Sequence, residues 1–408
     1  MAVSDGHGHL DGPGVTTVSG PAVGPMVLTV LIVMMVLAVV VVGVVLVRPR
    51  LSPRRFRIAL SCSLVVAVAG LLFATVPTGG QAPGAGVPVL RALDVRDQQV
   101  PVLVVPNRPG FNLVGVNAKD AGAGLARDRL TEGRQLPGSA LTWVPVTLPE
   151  GPSRLWVSAG GADGVVDVNT GAGAPGPAAL AGADGPECAS SVAGALLAGK
   201  ADVPDSCPAD ALSPPDGAAL RSIVGFLAGR GEKVIAVAGD SSPRGKAAAA
   251  EVRAAAEHEG LSTVPFGNGS HPVVVVAGWA GAESVLTGMT AESAVDGAYL
   301  APWLATPSLL EQDISPHIAL PYEPRDAAAA EYLAALANAM PGEGPSTAGY
   351  QAWQKARGVT AAAPVRLYSA AVPYMPGMGG GKAHQHDQAA DWLPGGMIVP
   401  VTGPLHEP

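Results

Sequence analysis

Histidine and methionine side chains gather at the two ends of this 408-residue chain. The N-terminal segment carries His7-Gly8-His9, with Asp5 and Asp11 alongside. Near the other end lie Met375-Pro376-Gly377-Met378, then His384-Gln385-His386-Asp387 and a late His406. Imidazole is the commonest metal ligand. Thioether combined with imidazole suits copper, Cu(I) above all, because soft sulfur selects it. In an extended chain the two imidazoles of an H-x-H project to the same side. His7, His9, Met375, Met378, His384, His386 and Asp387 are therefore expected to supply a copper site. The four imidazoles with Asp387 would equally suit zinc or another divalent ion.

A second set of polar and aromatic residues lies in the interior of the sequence. Gly239-Asp240-Ser241-Ser242 follows an apolar run and precedes an Ala-rich one. The turn has the look of a serine-hydrolase nucleophile loop, but Asp313 to His317 is one residue too long for the Asp-x-x-His partner. It reads as a strand–helix loop, with Asp240 or Ser242 at the helix N-terminus. Trp279 and Trp303 each follow apolar strands, at what would be the mouth of an α/β sheet, where such sheets bind ligands. Asp240, Ser242, Trp279 and Trp303 form the candidate ligand set. Cys188 and Cys207 are expected to pair as a disulfide in an oxidising compartment. Asn268-Gly269-Ser270 matches a glycosylation acceptor. The G-x-G-x-x-G match at Gly171–Gly176 holds a proline and opens no helix, so no dinucleotide site is read from it.

These residues need elements to position them. Met26–Val47 is 22 residues without a charge, and Ile58–Val76 adds 19 more. Each is long enough to cross a hydrocarbon core of about 30 Å as a helix. The connector 48–57 holds five arginines, and no Lys or Arg precedes it. The positive-inside rule puts that connector in the cytoplasm and both chain ends outside. The localisation expected is the cell membrane, two-pass, with extracytoplasmic termini. A net charge of −8 and only 14% charged residues exclude a nucleic-acid partner and a charge-rich disordered chain.

The domain reading runs as follows. Residues 1–25 are a His-containing tail, 26–76 a transmembrane hairpin with its Arg-rich loop, and 77–88 a Gly/Pro stalk. Residues 89–170 hold short Val-, Leu- and Trp-rich runs bounded by Gly, Pro, Asn or Asp, which predict a β-sandwich-like domain. Residues 171–212 read as a linker with the disulfide, 213–370 as an α/β domain, and 371–408 as the Met/His tail. Leu220, Ile223, Val224 and Leu227 recur at helical spacing, Lys233–Gly239 reads as a strand, and Pro243–Glu259 as a helix. Continuous apolar strands such as VVVV imply a parallel sheet covered on both faces.

The order GEKVIAVAGDSSPRGKAAAAEVRAAAEHEGL, HPVVVVAGWAGAESVLTG, DGAYLAPWLATPSLL and YEPRDAAAAEYLAALANAMPGEGPSTAGYQAW resembles the second lobe of type I periplasmic ligand-binding proteins, the branched-chain amino-acid receptor type. The resemblance spans residues 213–368 and implies a small-molecule ligand. Three functions follow. The first is a membrane-anchored extracytoplasmic metal-binding protein for copper capture, delivery or sensing, with a metal donor or acceptor protein as partner. The second is a metal-dependent membrane enzyme, an oxidase or tailoring enzyme. The third is a solute-sensing or scaffold protein with a degenerate periplasmic-binding-protein domain.

Overall fold

A computed structural model of the chain describes residues 16–17, 84–95, 98–201, 206–289, 297–312, 314–359, 363–371, 391–393 and 396–406. The transmembrane hairpin and the metal-ligand set of the two tails lie outside the described residues. Among the described residues no helix is long and apolar enough to cross a membrane.

The first part is a pair of antiparallel sheets. Strands β1 (Val89–Val95), β2 (Gln98–Val105), β3 (Gly110–Val116), β7 (Thr142–Leu148) and β6 (Arg134–Gln135) pair in that order. Facing them, β9 (Ala162–Asn169), β8 (Pro152–Ala159), β4 (Ala121–Ala126) and β5 (Arg129–Glu132) pair in sequence. Alternation sets the inner face. Leu155 and Val157 of β8 point inward with Val166 and Val168 of β9, against Val102, Val104, Val114, Val116 and Val144 of the opposite sheet. The sandwich expected from the sequence is present.

The β2–β3–β7 sheet differs from an ordinary sandwich sheet because its outer face is also buried. Leu103, Val105, Leu113, Leu141 and Trp143 belong to the core of the α/β part. This explains why β2 carries an unbroken apolar run, PVLVV, rather than alternating residues.

Within the segment that reads as a linker, Gly185–Leu197 forms helix α1. Its Cys188, Ala189, Val192 and Ala193 are buried in the same core. Cys188 is joined to Cys207, as expected. Closing a loop of 19 residues' separation stabilises the fold by about 3 kcal/mol on the loop-entropy account. The bridge ties the N-terminal turns of α1 to the chain just ahead of α2 (Pro214–Gly229).

From there strands and helices alternate: β10 (Val234–Ala238), α3 (Pro243–His258), β11 (Ser262–Pro265), β12 (Val273–Val275), α4 (Trp279–Gly288) and β13 (Ala298–Leu300). They continue with β14 (His317–Leu320), α5 (Ala327–Ala339), α6 (Thr347–Ala356), β15 (Arg366–Ala371) and β16 (Met397–Pro400). The sheet order is β11-β10-β12-β13-β14-β15-β16, parallel through β14 and antiparallel for β15 and β16. Local chemistry agrees with these boundaries. Ser242 and Ser346 accept N–H bonds at the starts of α3 and α6, and Pro243 takes the first position of α3.

Candidate functional site

Strand β10 has β11 on one side and β12 on the other, so the order of the sheet reverses there. The loops leaving β10 and β12 lie at the carboxyl ends of the strands, where such sheets usually take a ligand in a crevice. Two sequence-predicted residues sit at this point. Asp240 Oδ1 accepts from the Ser242 amide at 2.9 Å and from Ser242 Oγ at 2.5 Å, and Oδ2 accepts from the Gly278 amide at 2.6 Å. Ser242 Oγ in turn accepts from the Gly245 amide, capping α3. Burial works against the Asp240 charge, but the Gly278 and Ser242 donors outweigh it and hold the carboxyl below its ordinary range. Asp240 is thus an ionised tether between the loops after β10 and β12.

The crevice is not empty. Asp184, the residue just ahead of α1, has its carboxylate packed against Gly278 at the N-terminus of α4. Asp184 makes no side-chain cap on its own helix, and Gly278 at the start of α4 has no side chain to cap with. A carboxylate from a distant segment lies against the α4 N-terminus instead. Gly278 is required here, since a β-carbon would lie 2.0 Å from Asp184 Oδ2. Burial raises the Asp184 carboxyl above its usual range, and the neighbouring Asp240 charge adds to that, against the opposing pull of Arg244.

Arg244, at the second position of α3, is 2% exposed and forms a two-pronged ion pair with Glu187 of α1, both bonds 2.6 Å. Glu187 is 0% exposed, and the guanidinium also lies 4.4 Å from the centre of the Trp303 ring. Burial raises the carboxyls of Glu187 and Asp216 as well. Asp216 Oδ2 accepts from Ser213 Oγ at 2.6 Å, while its Oδ1 is enclosed with no hydrogen-bond partner. One guanidinium therefore serves several buried carboxylates.

Trp279 and Trp303, expected at the mouth of the sheet, are core residues at 1% and 2% exposure. Trp279 Nε1 donates to the Trp303 carbonyl at 2.9 Å, and Trp303 Nε1 donates to the Ala277 carbonyl at 2.8 Å. The turn at Gly138 of the β-sandwich lies on Trp279 so closely that a β-carbon there would come within 2.0 Å of the ring. The placement after β12 and β13 was legible, but the ring faces are covered by the chain itself.

Beside the filled crevice, an open cleft of about 470 Å³ is lined by Asp240, Lys246, Arg253, Thr263 and Pro265, among others. Asp240 borders both spaces. Among the described residues no three His, Cys, Asp or Glu side chains are placed to hold a metal ion. His7, His9, Met375, Met378, His384, His386 and Asp387 lie outside the described residues.

Sequence reading missed Asp184, Glu187 and Arg244. One signal was present. An arginine in the first turn of a helix opposes the helix dipole, so Arg244 required an acidic partner from elsewhere.

No protein-family model matches the sequence, and no curated protein matches it. Among solved structures, an extracellular ligand-binding receptor from Verminephrobacter eiseniae is similar at 14% identity and a TM-score of 0.31, over 35% of this chain and 48% of that one. An extracellular ligand-binding receptor from Rhodopseudomonas palustris is similar at 16% identity and a TM-score of 0.27, over 34% of this chain and 47% of that one. An ABC transporter substrate-binding protein from Desulfitobacterium hafniense, solved in complex with Leu, is similar at 11% identity and a TM-score of 0.28, over 44% and 82%. The chain spans about half the length of the first two.

Proposed function

We propose that this chain is a membrane-anchored extracytoplasmic scaffold with a degenerate receptor-like α/β domain. Two spans hold it at the cell membrane, and its extracytoplasmic part works as a closed recognition platform rather than as an open solute trap. The observation that carries the reading is the Asp184 carboxylate, packed against Gly278 at the carboxyl ends of the strands, where an α/β sheet takes its ligand. The two tryptophans that would stack on a solute are instead spent on internal hydrogen bonds.

The expected result is a flat response to small solutes. Full-length protein in detergent, titrated with leucine and a panel of other amino acids and small organic acids, should show no saturable heat in calorimetry and no shift in Tm. A saturable response that is lost on Trp279→Ala would overturn the closed reading in favour of solute sensing.

Metal binding by His7, His9, Met375, Met378, His384, His386 and Asp387 is a separate proposal about the two tails. Its support is the pairing of thioether with imidazole, which favours copper over zinc. Protein purified without a chelator should carry copper, and His384→Ala with His386→Ala should lose it. Wild-type protein that takes up neither copper nor zinc from a stoichiometric supply would end that proposal.

A further inference from the structure

The Asn268-Gly269-Ser270 motif takes no part in the reading above. It lies on the turn between β11 and β12, and all three residues are exposed. The chain holds no other Asn-Gly pair. The Asn268 N–H donates to the Pro265 carbonyl at 3.3 Å, which pins the start of the turn. Among the described residues nothing hydrogen-bonds the Asn268 carboxamide. Gly269 has a φ of +84°, and with no β-carbon it leaves its amide nitrogen uncovered. His271 folds back onto this glycine. Its Nε2 lies 3.0 Å from where a β-carbon on Gly269 would stand. That point is two bonds from the Gly269 nitrogen, so the imidazole reaches the N–H directly or through one water.

We propose that Asn268-Gly269 is a self-modifying site, where the Gly269 nitrogen attacks the Asn268 side-chain carbonyl and His271 moves the proton. The chain itself holds nucleophile and electrophile as neighbours. The N–Cγ bond forms, the Cγ–Nδ2 bond breaks, and ammonia leaves with the proton that Gly269 gives up. His271 takes that proton and passes it to the departing nitrogen, so the imidazole ends unchanged. The product is a five-membered succinimide. Water opens it at either carbonyl, giving aspartate or isoaspartate at position 268. The turn gains a negative charge, and the isoaspartate form carries an extra backbone carbon. The step needs no partner enzyme, and it is independent of whether the crevice is closed.

The test is to incubate full-length protein in detergent at neutral pH and physiological temperature, and to follow the peptide containing Asn268 by mass spectrometry. Aspartate and isoaspartate should accumulate there together. Asn338, exposed but inside α5 and followed by alanine, should keep its amide over the same period. Gly269→Ala should suppress the reaction, since a β-carbon both covers the nitrogen and meets the imidazole. His271→Ala should slow it by about tenfold, below the roughly 10²-fold of a fully organised general base. His271→Phe keeps a ring over Gly269 but no proton acceptor, and should be as slow as His271→Ala. None of these positions belongs to either core, so each variant retains the fold.

Wild-type protein that keeps the Asn268 amide throughout overturns the proposal, and so does a glycan found attached there. Equal rates in the wild type, His271→Ala and His271→Phe overturn the role of the imidazole.

Discussion

Replacing Arg244 with methionine should lower the unfolding free energy by about 3–5 kcal/mol, the usual cost of breaking a buried ion pair from one side. The change strands Glu187, which is fully enclosed and, among the described residues, has that guanidinium alone for its two oxygens. It also withdraws the positive charge that lowers the carboxyls of Asp184 and Asp216. Chemical denaturation of the wild type and Arg244→Met reads the difference directly. The companion measurement is the double variant Glu187→Met, Arg244→Met. Swapping a buried pair for apolar groups of similar volume is often neutral or stabilising. The double variant should therefore recover most of the loss. An Arg244→Met protein within about 1 kcal/mol of wild type would refute this account, since that is the scale of an exposed pair.

Stability should also fall as pH rises through neutrality, and Glu343 should carry a separable part of the fall. Glu343 follows α5 and reaches across to the β-sandwich, where its carboxylate accepts from Ser139 Oγ at 2.9 Å and from the Ala140 and Leu141 amides at 3.0 and 3.1 Å. The residue is half-buried, with its carboxylate among these donors. Burial pushes the carboxyl up to about 7, from an ordinary 4.5, although these donors pull the other way. A carboxyl raised in the folded state favours folding when protonated. Its contribution is complete below the unfolded value near 4.5 and is lost as pH rises through about 7. The full span would be up to about 3 kcal/mol, at 1.36 kcal/mol per pH unit. Glu187, Asp184 and Asp216 are raised too and tilt the profile in the same direction. Comparison with Glu343→Gln isolates the junction. Between pH 5 and 8 the wild type should lose stability more steeply than Glu343→Gln, whose amide does not titrate. Parallel profiles for the two proteins would show that Glu343 is ionised throughout.

The regular elements of the α/β part were readable because their signals are local. Ser242-Pro243 starts α3, and the apolar runs VIAVA and VVV form covered strands. Alternation in SRLWVSA and GVVDVN likewise gave the faces of β8 and β9. Helix α1 was hidden because ECASSVAGALL is made mostly of small residues and shows no strong stripe of large apolar ones. Its burial depends on the distant sheet that covers it. The site was half legible for the same reason. Asp240 and Ser242 announce themselves beside a strand and a helix start. Asp184 and Glu187 act on a helix and an arginine that come far later in the chain. Whether Trp279 faces solvent or core is decided by the Gly138 turn, which no neighbouring residue signals.

The doubly buried β2–β3–β7 sheet has a consequence for how the protein can be divided. Leu103, Val105, Leu113 and Trp143 form one wall of the second core while Val102, Val104, Val114 and Val144 form the first. The alternating side chains of the same strands thus belong to two interiors. The apparent seam near residues 171–212 is a connection in sequence only. A cut there would turn one face of a finished sheet into an exposed oily surface on one fragment and strip the lid from the other. The two halves fold as a single piece, and either half alone would be a fragment rather than a module.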